Sequence, residues 1–171
     1  FPQSDRNNRY DIVLFSESFQ YIPMGASFTL MKQLLRPNGK VIVCDFFKTE
    51  HDGDGGPGDK SFGGGHPLNH FYRDIEKYSY KILHDDDITK RISPTIAMVD
   101  EVLMQRIYPT LQTLSVYLEG RHRFGFGIFK RLFRKKMEKL KFKYFSGHRS
   151  QAVFERYKSY HHVVIALKQS T

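Results

Sequence analysis

The chain has 171 residues, 27 Lys and Arg against 18 Asp and Glu for a net charge of +9, and is 40% hydrophobic and 15% aromatic. That length and apolar content suit a globular domain with its own core and exclude an intrinsically disordered chain. One cysteine, Cys44, excludes an internal disulfide framework and a cysteine zinc site, and no apolar run approaches the length of a membrane span.

Residues 1–9 are polar and lead into a first strand. Ile12, Val13, Leu14 and Phe15 form an apolar run without alternation, the pattern of a strand covered on both faces. Polar Ser16, Glu17 and Ser18 follow. Helical spacing then recurs in Phe28, Met31, Leu34 and Leu35, and Pro37-Asn38-Gly39 stops that helix. Val41, Ile42 and Val43 make a second buried strand ending at Cys44-Asp45. Two parallel strands joined through a helix form a right-handed unit, whose ligands bind beyond the carboxyl ends of the strands. Cys44, inside a strand, is a small core residue rather than a nucleophile.

The loop 48–65 is rich in Gly and Asp. Asp52, Asp54 and Asp59 lack the calcium-loop spacing and its closing Glu, and the glycines precede no Lys-Ser/Thr pair, so a mobile loop over the site is expected. A short helix is predicted over His66–Lys77, which would place His66 and His70 on one face, though without a third ligand for a metal. Tyr78–Leu83 reads as a third strand and HDDDIT as the turn after it. Ser93 and Pro94 read as the cap and first residue of a long helix running from Ile96 to Leu118, broken at Pro109 and ended by Glu119-Gly120. A second helix spans Phe126–Lys143. Phe154 and Tyr157 suggest a last short helix before a final strand, Tyr160–Leu167.

The Tyr10-Asp11 pair before the first strand and the Leu34-Leu35-Arg36-Pro37-Asn38-Gly39 run before the second carry a resemblance. They are similar to the middle of a class I S-adenosylmethionine-dependent methyltransferase, where an aromatic-Asp pair opens the fourth strand and an L-(K/R)-P-G-G turn precedes the fifth. Phe1-Pro2 resembles the end of that family's LPFP segment. YFSGHR and FERYKSY resemble, more weakly, the carboxyl-terminal segment of some bacterial small-molecule members. Asn38 departs from the usual Gly, but Asn also tolerates left-handed geometry.

The resemblance implies an α/β fold: a Rossmann-like class I methyltransferase sheet, here its C-terminal half, with a helical insertion before the last strand. The sheet core would comprise 1–92 and 148–171, and 93–147 would form a helical lid. The last two strands would pair antiparallel at one edge. The glycine-rich loop and the acidic residue that hold the cofactor would precede Phe1, so this portion is expected to be inactive alone and to need that half, or another chain, to complete its sheet. The implied cofactor is S-adenosylmethionine and the implied setting cytoplasmic, peripheral to a membrane if the basic helix docks on one.

By the resemblance and the sheet rule, Ser16, Glu17, Ser18 and Phe19 lie beside the cofactor. Gln20, Tyr21, Asp45 and Phe47 face the acceptor, with His66 and His70 as further lining residues. Glu17 is the candidate catalytic base, or the group that holds a cationic or hydroxyl-bearing acceptor; capping of loop amides is its structural alternative. Base and glutamine amino methylation would need (N/D)PP(Y/F) where this chain has SESF. Cytosine C5 methylation would need a Pro-Cys or Thr-Cys nucleophile, and catechol methylation an acidic metal cluster. A small-molecule acceptor at O, N or C is what remains.

Between Arg121 and Arg149 eleven basic residues stand against Glu138 alone, so the charge of the chain resides in one element. Over 125–143 large apolar residues occupy one helix side with Lys and Arg elsewhere, a pattern suited to an anionic membrane surface or to a lid over the acceptor pocket. The two coincide if the acceptor is lipid-like. Two other classes compete: an RNA binder using the basic helix, disfavoured because the aromatics recur at core spacing, and a non-catalytic partner subunit.

Overall fold

A computed structural model describes residues 10–51 and 63–168. Residues 1–9, 52–62 and 169–171 lie outside the described residues, and with them Phe1-Pro2 and the calcium reading of Asp52, Asp54 and Asp59. The chain divides into two units, one of 1–51, 63–92 and 157–171, the other of 52–62 and 93–156.

The first unit is built on a four-stranded sheet in the order β1-β2-β4-β3, with β1 Tyr10–Ser16, β2 Leu35–Lys48, β3 Tyr80–Asp87 and β4 Lys158–Leu167. β1 and β2 pair in parallel through α1 (Met24–Leu34), Val13 opposite Val41 and Phe15 opposite Val43. β4 runs antiparallel to both β2 and β3, as expected for the last pair of strands. The helical insertion falls between β3 and β4.

One face of this sheet carries the core. Val41, Val43, Val163 and Ile165 meet Phe28 and Met31 of α1 and Phe71 and Ile75 of α2 (Leu68–Lys77). Each such side chain stabilises the fold by roughly 1.5–3 kcal/mol through loss of contact with water. The other face is less covered at β1, where Ile12 and Leu14 are 56% and 61% exposed. The apolar run of β1 had suggested cover on both sides. In fact only Val13 and Phe15 turn to the core, and β1 is an edge strand among the described residues.

β2 starts earlier than its apolar residues indicate. Tyr10 already pairs with Leu35, and the next pair is Ile12 with Lys40, so 36–39 bulge out of the ladder. Asn38 takes the left-handed conformation there, with φ of 66°.

The helix α3 (Thr89–Glu101), whose residues from Ser93 on belong to the second unit, continues into a π-helical stretch, Val102–Ile107, and then α4 (Tyr108–Arg121). The irregularity expected from Pro109 thus takes the form of a widened turn just before it, with the Tyr108 N–H donating five residues back to Leu103. Ser93 is not the cap of α3. It lies inside the helix, fully buried, and its hydroxyl donates to Glu155 at 2.5 Å. The helix begins earlier because the Asp87 carboxylate accepts the Thr89 N–H at 2.9 Å. Only His122 separates α4 from α5 (Arg123–Phe145), making a helical hairpin; α6 (Gln151–Tyr157) precedes β4.

Candidate functional site

Since β1, β2 and β3 run the same way and β4 runs against them, one end of the sheet gathers three carboxyl ends and the amino end of β4. Glu17, Asp45, Asp85–Asp87 and Lys158–His161 all belong to that end.

Glu17 stands one residue past β1, exposed, with φ of 48°. A residue with a Cβ enters this left-handed region at a cost of roughly 1–2 kcal/mol, so neighbouring contacts must hold it there. Two do. The Glu17 N–H donates to the Cys44 carbonyl at 2.9 Å, extending the β1–β2 ladder, and the Tyr160 hydroxyl donates to Glu17 Oε1 at 3.3 Å. Burial, then the nearby Glu17 charge and hydrogen bond, push the Tyr160 phenol up to about 12, so it stays a donor at neutral pH. Burial and then Asp45 also push the Cys44 thiol up, which suits a packing residue and not a thiolate nucleophile.

Asp45 is 1% exposed and faces the loop rather than open solvent. Its two oxygens accept N–H groups from Gln20 at 3.1 Å and Phe46 at 2.8 Å. Burial raises its pKa although these hydrogen bonds oppose the rise. The carboxylate therefore ties the end of β2 to the short 3₁₀ turn Phe19–Tyr21. His66 closes the other side, its Nε2–H donating to the carbonyls of Ile22 at 2.9 Å and Phe19 at 3.2 Å. Gly64, at φ of 97°, passes so near Gln20 that a Cβ there would run into the Gln20 side chain.

The expected site residues therefore separate. Ser16, Glu17 and Tyr21 are exposed, and Ser18, Gln20 and His66 are half-buried around the same loop. Phe19 and Phe47 are 0% and 1% exposed and belong to the core, where Phe19 meets Phe15, Phe28, Phe47, His66 and Phe71. Their side chains position the loop instead of lining a ligand. His70 is exposed on α2, but His66 precedes that helix, so the two do not form a helical pair; Pro67 ends the extended segment and α2 starts at Leu68.

Several polar groups at this end had no distinct sequence signal. The strand β3 runs through the turn predicted for HDDDIT as far as Asp87, and Asp85 accepts from Tyr72 at 2.6 Å and from His161 Nδ1 at 2.9 Å. His161, the cross-strand partner of Asp45, has its Nε2 buried with no hydrogen-bond partner among the described residues. Burial raises the Asp87 pKa, but two hydrogen bonds from Thr89, with His161 and Lys90 nearby, outweigh it and hold the carboxyl below its usual range.

Lys158 is 3% exposed, its ammonium donating to the Gly64 carbonyl and lying 5.2 Å from the Phe46 ring centroid. Burial, then Lys48, lowers its pKa to about 8. Below that pH both folded and unfolded chains hold the proton, and the fold carries a buried charge. Above it the folded state sheds the proton while the unfolded state keeps it to about 10.4. Stability should therefore rise between pH 8 and 10 relative to Lys158→Met, by on the order of 3 kcal/mol. Urea unfolding of both proteins across that range measures it; parallel pH profiles would contradict it.

No known family pattern matches the chain, and no curated protein matches it. Solved structures do. A candidate sarcosine dimethylglycine methyltransferase from Galdieria sulphuraria superposes with a TM-score of 0.56 at 12% identity, over 95% of this chain and 55% of that one. The [4+2]-cyclase SpnF gives 0.53 at 14% identity, over 99% and 53%. A coclaurine N-methyltransferase bound to N-methylheliamine and SAH gives 0.48 at 15%, over 96% and 50%. The chain spans about half the length of these structures, and at such identities the likeness is one of fold. The sheet order, the reversed β4 and the insertion before it agree with that likeness: the chain has part of the class I methyltransferase fold.

Proposed function

We propose that the full-length protein transfers a methyl group from S-adenosylmethionine to a small-molecule acceptor, lipid-like in one reading, at the carboxyl end of β1 and β2. The observation that carries this is Glu17: an exposed carboxylate in a strained backbone conformation, fixed by Cys44 and Tyr160 at the sheet end where ligands of such folds bind. The donor set suits the cofactor, since Ser16, Ser18 and Glu17 offer hydroxyl and carboxylate oxygens to a sulfonium and to sugar hydroxyls.

Held by Ser16, Glu17 and Ser18, S-adenosylmethionine would supply an activated methyl group for a lone pair of the acceptor. The protein's part is then position, dryness and proton removal. Glu17 accepts the proton that an amine or hydroxyl acceptor loses, or pairs with the acceptor's positive charge. Tyr160 holds the carboxylate toward the acceptor. Asp45 and His66 keep the 3₁₀ turn in place, so Gln20 and Tyr21 contribute to the acceptor's surroundings.

A second reading has a specific support: the [4+2]-cyclase shows that this fold also serves reactions named for something other than methyl transfer. Incubation of the full-length protein with methyl-labelled S-adenosylmethionine and a panel of amine, phenol and lipid-like acceptors separates the two. Label in product supports methyl transfer; cofactor-dependent conversion without label supports the other.

Since the chain spans about half of the structures it matches, residues 1–171 alone are expected to bind S-adenosylmethionine more weakly than low-micromolar. Titration calorimetry measures this, and a low-micromolar dissociation constant would contradict it.

A further inference from the structure

The α4–α5 hairpin keeps its large apolar side chains outside. Phe124, Ile128 and Leu132, spaced by four residues along one side of α5, are 89%, 62% and 75% exposed, and Val116 and Tyr117 near the end of α4 are 68% and 55% exposed. Val116, Tyr117 and Phe124 flank the turn at His122, beside Arg121 and Arg123 in sequence, and Ile128 and Leu132 extend the apolar stripe along α5. Further along α5 the same side changes character: Arg131, Lys135, Lys139 and Lys143 continue it, all exposed. The side facing α4 forms a groove of about 890 Å³, lined by Leu111, Met137 and Leu140 and rimmed by Lys130, Arg134 and Lys141. No described helix is long and apolar enough to cross a membrane.

We propose that this hairpin docks on the anionic surface of a lipid bilayer, its tip entering the headgroup–acyl boundary and its basic stem lying against lipid phosphates. The charge decides between occupants. Eleven basic residues against Glu138 over Arg121–Arg149 need a dense anionic partner, and the exposed Phe124, Ile128 and Leu132 in the first half of α5 need hydrocarbon. An anionic bilayer offers both at one surface; RNA offers only the first, and a second copy of this basic hairpin offers only the second. Phe124 to Leu132 spans about 12 Å along the helix, comparable to the roughly 5–10 Å depth that interfacial helices reach. The placement is independent of whether the sheet transfers methyl groups.

The chain contains no tryptophan, so Phe124→Trp gives a single reporter at the tip. With phosphatidylcholine vesicles containing phosphatidylglycerol, at low salt, its emission should shift to the blue and become shielded from an aqueous quencher. Vesicles of phosphatidylcholine alone should leave it unchanged. Reversal of Arg131, Lys135 and Lys139 to Glu in this reporter protein should weaken vesicle binding about a hundredfold or more. Leu132→Ser with Ile128→Ser, both at exposed positions, should weaken vesicle binding but not binding to an RNA homopolymer. Circular dichroism confirms that each variant is folded. Absent binding to anionic vesicles, equal binding to neutral ones, or unchanged vesicle binding by the Ser variant would each overturn the proposal. So would a lipid-free dimer in which the Trp is already shielded.

Discussion

Phe19→Ala should lower the unfolding free energy by about 3–5 kcal/mol, the range for emptying a buried aromatic site. Phe19 has no exposed surface and is the ring on which the core converges, at 5.3 Å from Phe15, 5.5 Å from Phe71 and 6.2 Å from Phe28 between centroids. A domain of this size is stable by only about 5–15 kcal/mol, so the variant would be near its limit. The loss should extend to the site. Phe19 lies in the 3₁₀ turn two residues past Glu17, and its carbonyl is one of the two that His66 holds. Urea unfolding monitored by far-ultraviolet circular dichroism measures the first effect. A cost below about 1 kcal/mol would mean that the loop is not anchored through this ring.

How far the sequence disclosed this arrangement depended on the kind of signal. The parallel pair β1–β2 was legible because two apolar runs flank a helix with a Pro-Asn-Gly stop. The antiparallel placement of β4 followed from the resemblance rather than from any local pattern, since a strand's direction leaves no mark on its own composition. Glu17 stood out as a polar residue after a buried strand, but its strained backbone and its partner Tyr160, 143 positions away, are products of the sheet register. Phe19 and Asp45 were read as ligand-facing because they follow strand ends. Both turn inward instead, Phe19 because the core needs a large ring between α1 and α2, Asp45 because the amides of Phe19 and Gln20 in the turn and of Phe46 beside it need an acceptor. The Asp85–His161–Tyr72 cluster was hidden because HDDD looks like a turn, whereas its paired register with β4 extends the strand.

Glu17→Gln should reduce kcat/KM by about 10²–10⁴-fold with acceptors that must lose a proton, the range for a positioned acid–base group. Gln keeps the size and can still accept the Tyr160 hydroxyl, so the change removes charge and basicity and little else. Tyr160→Phe should cost only about tenfold, as expected for loss of one hydrogen bond to a charged group. Glu17→Gly gives a complementary readout. It relieves the left-handed conformation, so it should raise stability by up to about 1 kcal/mol while activity falls. If Glu17→Gln keeps full turnover, the carboxylate is a loop cap and the base lies elsewhere. If Glu17→Gly destabilises the fold, the φ of 48° is not held against strain by function.

Backbone amide hydrogen exchange in the full-length protein, with and without S-adenosylhomocysteine, tests most directly whether the loop after β1 is where the cofactor lies. Slowed exchange over Ser16–Ile22 and over Phe46–Lys48 is expected on addition of the ligand, with α4 and α5 unchanged. Ligand binding that leaves Ser16–Ile22 exchanging at its free rate would contradict it.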